Sequence, residues 1–444
     1  ISEIIDKYKF DAKITEEDII KLIKEEKKNI KEKFTLFRER IRFLSKIIYM
    51  IENGQDIIDS LQFHNINEIG IINKNYIYIV YKGRKIWLSF LKILDKAILE
   101  KIQKKSTQNK KPQFDTSNPI VIASKNNGNR VTVAGYIATP DEEEMYYNER
   151  IFNLKKITLE EMRDKYKTIN EPIYKLLMLN QKGRGTHLIT GSDMGVGKTT
   201  FLTSMMEKIP DKWGIGIIDT QNEIQARNKY PWKNIITLIE NPLISIEECF
   251  EYMLKMARDV LYVGEIVNPQ EIAQLINASL RLNAGAGATL HSKTPFEVVA
   301  NCRNLMMRTT MYDNSIIAET DIARALDLII HLEKHPNEKG RIIVKNIVEV
   351  EYIEKNIDTK VVLEGSKEEK INNILNLAQL ALQKYLQPKL YRYREIFEYK
   401  ANKNIWILKN LPSNEYFKKI SNFVLEKEIQ EFKNNLQPKG CDLI

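Results

Sequence analysis

The run Thr190-Gly-Ser-Asp-Met-Gly-Val-Gly-Lys-Thr-Thr200 has the residue types and the spacing that hold a phosphate chain. Small residues around Ser192, Gly195, Val196 and Gly197 let consecutive backbone N–H groups turn inward on phosphate oxygens. Lys198 adds a mobile positive charge, and the Thr199 hydroxyl can ligate Mg²⁺. Thr200 follows in the first turn of an expected helix that continues through Phe201-Leu-Thr-Ser-Met-Met206 and points its positive dipole end at the same anion. The pattern G-x-x-x-x-G-K-[ST] asks for glycine at position 192, where Ser192 stands, and Gly191 comes one residue early. Either Ser192 tolerates the turn, or the loop is one residue longer and Gly191 takes that place.

Three patches downstream carry further chemistry. Asp259-Val-Leu-Tyr-Val-Gly-Glu265 reads as a strand ending in a carboxylate, and Glu265 at the mouth of a sheet can position and polarise an attacking water. Ile218-Asp-Thr-Gln-Asn-Glu-Ile224 puts two carboxylates after another strand, and Gly285-Ala-Gly-Ala-Thr-Leu-His-Ser292 puts His291 after a third. Taken singly, each has a plain explanation: a glutamate after a strand is often a solvated turn residue, and a lone histidine is more often structural. Their order along one chain is what gives them weight.

These residues need a platform. From about residue 159 the sequence alternates helices with short apolar strands: 187–189, 215–218, 235–239, 260–263, 286–290 and 328–332. That alternation predicts an α/β domain, a parallel sheet covered by helices with the nucleotide at the strand C-termini. Residues 341–353 read as a closing strand pair, 370–387 as a helix, and the remainder as a polar tail with a short strand at 404–408. Upstream, Thr15-Glu-Glu-Asp18 marks a helix start. Ile20, Leu22, Ile23, Phe34, Phe37, Ile41, Leu44 and Ile48 recur at near-helical spacing, which we read as core packing, with a partner-helix surface as the second reading. Residues 68–84 predict two strands joined by an Asn-Lys-Asn turn, 101–119 a polar basic loop, and 120–138 more strand. The boundaries expected are 1–62 helical, 63–155 a smaller α/β domain, 156–355 the nucleotide-binding domain and 356–444 a helical tail region.

Composition narrows the class. No stretch of about 18 apolar residues reads as a membrane span. Ile1-Ser-Glu-Ile-Ile-Asp-Lys7 lacks the layout of a signal peptide. Cys249, Cys302 and Cys441 are far apart with no C-x-x-C pair, so a disulfide framework and a zinc knuckle are not expected, and a reducing cytoplasm fits. The net charge of +9 permits contact with nucleic acid or anionic lipid. No aromatic-basic stacking stripe or recognition-helix pattern accompanies it, so specific nucleic-acid binding is not expected.

Together and in this order, the phosphate loop, the acidic box around Glu223, the Gly264-Glu265 motif and the histidine box resemble the type II/type IV secretion ATPase superfamily, which powers pilus assembly, secretion and some conjugation systems. The Tad/Flp pilus branch is the most similar, through Ile157-Thr-Leu-Glu-Glu-Met162, Val263-Gly-Glu-Ile266, Thr289-Leu-His-Ser292 and Ala325-Leu-Asp-Leu-Ile-Ile-His-Leu332. Asn67-Glu-Ile-Gly-Ile-Ile-Asn73, Gly128-Asn-Arg-Val131 and Arg150-Ile-Phe152 extend the likeness into the N-terminal half. Ser192, and Leu282-Asn283 where relatives often carry Gly-His, depart from the pattern; the cysteine-rich zinc insert of another branch is absent.

The resemblance implies a RecA-like P-loop core in a homo-hexameric ring that uses ATP and Mg²⁺. Lys198 and the loop amides would hold the phosphates, Thr199 the metal and Glu265 the catalytic water. Glu223 would support metal or water, and His291 would report nucleotide state. Arg130 and Arg150 would bring positive charge to the phosphates. It further implies a cytoplasmic, membrane-peripheral motor docked on an inner-membrane platform protein and pushing pilin or another substrate outward. The alternatives are the ATPase of a conjugation or DNA-transfer apparatus, a nucleic-acid-stimulated translocase, and a scaffold that binds ATP without turnover.

Overall fold

The computed structural model describes the 444-residue chain apart from residues 1, 11, 23, 25–36, 53–54, 56, 64–65, 109–112, 126, 142–143, 152–155, 194, 221–222, 242, 282–284, 339, 354–364, 387–389 and 437–444. Two compact units divide it: Ile1–Lys155 with Gln221–Gln225, and Lys156–Thr220 with Ala226–Ile444.

The N-terminal unit holds a seven-stranded sheet. Its strands are β1 (Lys13–Ile14), β2 (Ile66–Asn73), β3 (Tyr76–Tyr81), β4 (Arg84–Leu88), β5 (Ile120–Ser124), β6 (Arg130–Ala134) and β7 (Tyr146–Arg150), in the order β1-β4-β3-β2-β7-β6-β5. Ile69, Ile71, Ile77 and Ile79 are fully or almost fully buried, the β-branched packing that makes this segment strand rather than helix. The expected Asn-Lys-Asn turn is present: Asn73 pairs with Tyr76, and the Asn73 side chain accepts from the Asn75 N–H at 2.9 Å.

Two expectations fail here. The segment read as a basic loop from 101 is helical up to Thr107, in a helix Lys96–Thr107 N-capped by Asp95. Leu99 and Ile102 bury one face of it, so the lysines that suggested a loop are its solvated side. The stripe read as core packing is the other failure. Thr15 and Asp18 do form the expected helix start, but Ile20 is 47 % exposed. Ile41, Leu44 and Ile48, on a helix Phe37–Glu52, stand about half exposed. Leu22 alone of the members whose side chains are described is buried; Ile23 and Phe34, and the side chain of Phe37, lie outside the described residues.

The C-terminal unit holds a nine-stranded sheet. Its strands are β8 (His187–Gly191), β9 (Ile215–Ile218), β10 (Ile235–Leu238), β11 (Val260–Ile266), β12 (Gly285–His291), β13 (Leu328–Lys334), β14 (Ile342–Tyr352), β15 (Tyr391–Lys400) and β16 (Ile405–Leu408). The order is β10-β9-β11-β12-β8-β13-β14-β15-β16, with β10 through β13 mutually parallel and the last three strands added antiparallel. One strand, β12, therefore stands between the strand that enters the phosphate loop and the strand that carries Glu265 next to its end. Helices Ile246–Lys255, Pro269–Arg281, Val298–Met306 and Ser315–Ala325 bury apolar faces in one cluster with β11 and β12.

The last stretch is not the tail expected from sequence. The pair expected at 341–353 is one long strand, β14, and β15 and β16 extend the sheet beyond it. Helices Asn414–Ile420 and Glu426–Leu436 then fold back on the helix Glu171–Lys182. Tyr416 donates to Asn180 Oδ1 at 3.1 Å, and Lys182 pairs with Glu428 at 2.6 Å. Alternating charges along Tyr391–Lys400 hid this strand, because its exposed side is laced with ion pairs such as Lys409–Glu398.

Candidate functional site

Strand β8 is buried along its whole length and delivers the chain into the loop at Gly191. Gly191 is glycine because of packing: a Cβ there would sit 2.6 Å from Val196 Cγ2 and 3.0 Å from the Leu332 carbonyl oxygen. Gly195 and Gly197 are glycine because of conformation, with φ of +74° and +75°, and an added Cβ would meet nothing within 4 Å. Ser192 is exposed and has no positive φ, so a serine fits the turn unstrained. Serine at 192 is thus compatible with the first of the two readings of the loop, and Gly191 is the last residue of β8.

Gly197 starts the helix Lys198–Met206 without any side-chain cap. The first N–H groups of a helix have no partner within it, so an uncapped, buried-sided N-terminus is a ready anion site. Phe201, Leu202, Met205 and Met206 are fully buried and hold that end in place.

Lys198 is 7 % exposed. Its ammonium lies 2.9 Å from His291 Nε2 and 3.9 Å from Glu265 Oε1, and His291 Nε2 lies 3.2 Å from the same oxygen. The register explains the meeting. His291 pairs with Gly191 across β12 and β8, and Leu290 pairs with Ile266 across β12 and β11, so three strand ends finish at one edge. The Thr289 hydroxyl donates to the Gly264 carbonyl at 2.7 Å, locking β12 to β11 one residue from the carboxylate. One imidazole nitrogen cannot serve both neighbours: protonated, Nε2 donates to Glu265, and bare, it accepts from Lys198.

Asp219 is the residue that sequence reasoning left without a role, although its patch was singled out. It directly follows β9, is 2 % exposed, and its N–H donates to Leu238 O at 3.1 Å. Its carboxylate lies against Gly264, where a Cβ would come within 2.8 Å of Oδ1. Burial pushes the Lys229 ammonium down to about 8, against the opposing pull of the Asp219 charge. Beyond β11, the buried Glu271 accepts from the N–H groups of Val267 and Asn268 at 2.6 and 2.8 Å and so fixes the turn that follows Glu265. Burial raises the Glu271 carboxyl above its usual range. A second missed pair sits below the loop: the Thr190 hydroxyl is 2.9 Å from Nδ1 of the buried His331, which is its register partner on β13.

The remaining candidates belong to the N-terminal unit. Arg130 pairs with Glu223 at 2.8 Å, so the carboxylate expected to support metal or water is engaged by a guanidinium. Arg130 and Arg150 are register partners on β6 and β7. Position 282–283 lies outside the described residues.

The residues fit a nucleotide with Mg²⁺. The loop supplies positive-φ glycines, an uncapped helix start and a buried ammonium, and Thr199, half-buried on the first turn, supplies a hydroxyl. Among the described residues no group of three or more His, Cys, Asp or Glu side chains could hold a metal by itself.

No family model and no curated protein matches the sequence. Among solved structures, the chain is similar to the pilus retraction motor PilT with bound ADP, at 15 % identity over 76 % of this chain and 93 % of that one, with a TM-score of 0.48. The ATPase DotB of Legionella pneumophila is 15 % identical over 78 % of this chain and 92 % of its own, with a TM-score of 0.46. VirB11, the ATPase from the Brucella suis type IV secretion system, is 14 % identical over 66 % of this chain and 94 % of its own, with a TM-score of 0.35. The assignment of a P-loop α/β core rests on the strand order and the loop geometry above.

Proposed function

We propose that this chain is a motor ATPase of the type II/type IV secretion superfamily, hydrolysing ATP to drive pilus assembly or protein secretion. The observation that carries the reading is the meeting of Lys198, Glu265 and His291 beside an uncapped helix start. Bound ATP–Mg²⁺ supplies a γ-phosphoryl group open to attack by water. Lys198 and the loop amides bind and orient the phosphates, excluding the geometries in which attack is out of line. Glu265 holds the attacking water and takes its proton. His291, placed between Lys198 and Glu265, shifts its ring proton as the lysine moves onto phosphate. Thr199 would hold the metal, and the resemblance assigns Arg130 and Arg150 the neutralisation of phosphate charge.

A homo-hexameric ring at the cytoplasmic face of a membrane platform, in the manner of the Tad/Flp branch, completes the reading. The motif order in the sequence supports it. Among the described residues no helix is long and apolar enough to cross a membrane, so contact with a membrane would be peripheral. The test is Lys198→Ala in the purified full chain. ATP hydrolysis should vanish while the circular dichroism spectrum and melting temperature stay unchanged, and retained turnover would refute the assignment.

A further inference from the structure

The helix Phe37–Glu52 is out of place in a folded unit: among its described side chains, which leave out Phe37 and Glu39, none is buried. Ile41, Leu44, Ile48 and Ile51 follow one another at alternating steps of three and four and make one stripe, exposed by 47, 57, 60 and 50 %. Arg38, Arg42 and Lys46, four residues apart, make a second, exposed row on another side of the same helix. The side that bears Lys46, Tyr49 and Met50 faces a cavity of about 490 Å³ whose other walls include Gln55, Asp59 and Lys125, and the stripe of Ile41, Leu44, Ile48 and Ile51 lines none of it. What ties the helix down is its C-terminal end. The carbonyls of Ile51 and Glu52 accept from Lys101 and Lys105 at 3.0 Å each, two cations on the negative end of the helix dipole.

We propose that this helix is an interfacial element that lies on an anionic lipid surface, its apolar stripe entering the acyl boundary and Arg38 and Arg42 meeting the headgroups. The inference names the element behind the membrane-side reading above and rests on it. A helix of this length with no packed face gains little from propensity alone, so its stripe needs a cover. Low net hydrophobicity, arginine and lysine on the polar side and Ile and Leu on the other are the features of a helix lying in the plane of a bilayer. Charge complementarity selects the occupant: four basic residues against two acidic ones on the helix, within a chain of net charge +9, favour anionic headgroups over a neutral surface. At about 1.5 Å per residue the helix spans about 24 Å, enough to lie along a surface and too short and too polar to cross one.

The experiment is flotation of the full chain with vesicles of phosphatidylcholine alone and of phosphatidylcholine with about 40 % phosphatidylglycerol, near physiological salt. The chain should float with the anionic vesicles and stay behind with the neutral ones. L44D/I48D replaces two side chains that are more than half exposed, so the fold survives, and it should lower the bound fraction at least tenfold. R38E/R42E should weaken binding and flatten its salt dependence. Anionic binding undiminished in L44D/I48D would mean charge alone brings the chain to lipid and would overturn the proposal, as would no flotation at all. So would a loss of self-association in L44D/I48D by light scattering, which would assign the stripe to a second copy. Lipid-free ATPase activity read on the same samples separates the two claims. K198A should float like the wild type while hydrolysing nothing, and a wild type that floats but never hydrolyses ATP would sink the motor reading and leave the helix assignment standing.

Discussion

Gly191→Ala tests the geometry of the phosphate loop at the position that sequence left open. The new methyl would meet Val196 Cγ2 at 2.6 Å and the Leu332 carbonyl oxygen at 3.0 Å. The carbonyl belongs to the β13 backbone, paired to β8 in register, and has little freedom to retreat. Val196 must therefore give way, and it is a buried member of the loop itself, 1 % exposed. Overpacking of this kind costs about 1–3 kcal/mol. If that strain is relieved by distorting the loop, nucleotide affinity falls by about fivefold to about a hundredfold, at roughly 1.4 kcal/mol per factor of ten. Ser192→Gly is the paired control. Ser192 is exposed and its φ is not positive, so glycine removes no strain and adds only backbone freedom, a cost of about 0.5–1 kcal/mol at most. Titration of both variants with a fluorescent ATP analogue, in the presence of Mg²⁺, gives the two affinities directly. Tight binding by Gly191→Ala, or a large gain in Ser192→Gly, would refute the assignment of close packing to Gly191 and of an unstrained turn to Ser192.

The other predictions concern chemistry, pH and assembly. Glu265→Gln keeps size and hydrogen bonding but loses the charge proposed to take the proton, so ATP binding should stay near normal while turnover drops by roughly a hundredfold or more; loss of both together would make Glu265 structural. His187 is buried at the start of β8, and burial pulls its pKa down to about 4, so the folded state stays neutral where the unfolded chain takes up a proton near 6.5. Stability should therefore fall as pH drops from about 7 to about 4, by up to about 3 kcal/mol from this group. Urea midpoints measured across that range should show a shallower slope in His187→Gln, and parallel slopes would refute the account. Turnover per subunit should rise with protein concentration as rings assemble, and DNA should add little at about 0.15 M salt, where the screening length is about 8 Å. Severalfold stimulation by DNA under those conditions would favour a DNA-transfer motor.

Much of this site is local and was legible before any fold. A phosphate loop is a run of consecutive residues whose φ angles and side-chain sizes are written in their types, so Gly195, Gly197, Lys198 and Thr199 could be placed by reading along the chain. The strands of the parallel sheet are short apolar runs with the same advantage, and 215–218 was read to the residue. What sequence alone could not decide is which strand ends share an edge. Glu265 and His291 reach Lys198 because β12 lies between β11 and β8, a matter of pairing order over tens of residues that no local pattern encodes. The same gap hid Asp219: whether the first or the second carboxylate of its patch ends buried depends on where the chain leaves the sheet, and here Glu223 leaves it for Arg130. Periodicity likewise marks a face as apolar without saying what covers it. That is why Leu99 and Ile102 lie inside a helix that looked like a loop, while Ile41, Leu44 and Ile48, on a better stripe, lie outside the core. A side chain's hydrophobicity belongs to the residue, but its burial belongs to its neighbours, and only the tertiary structure supplies those.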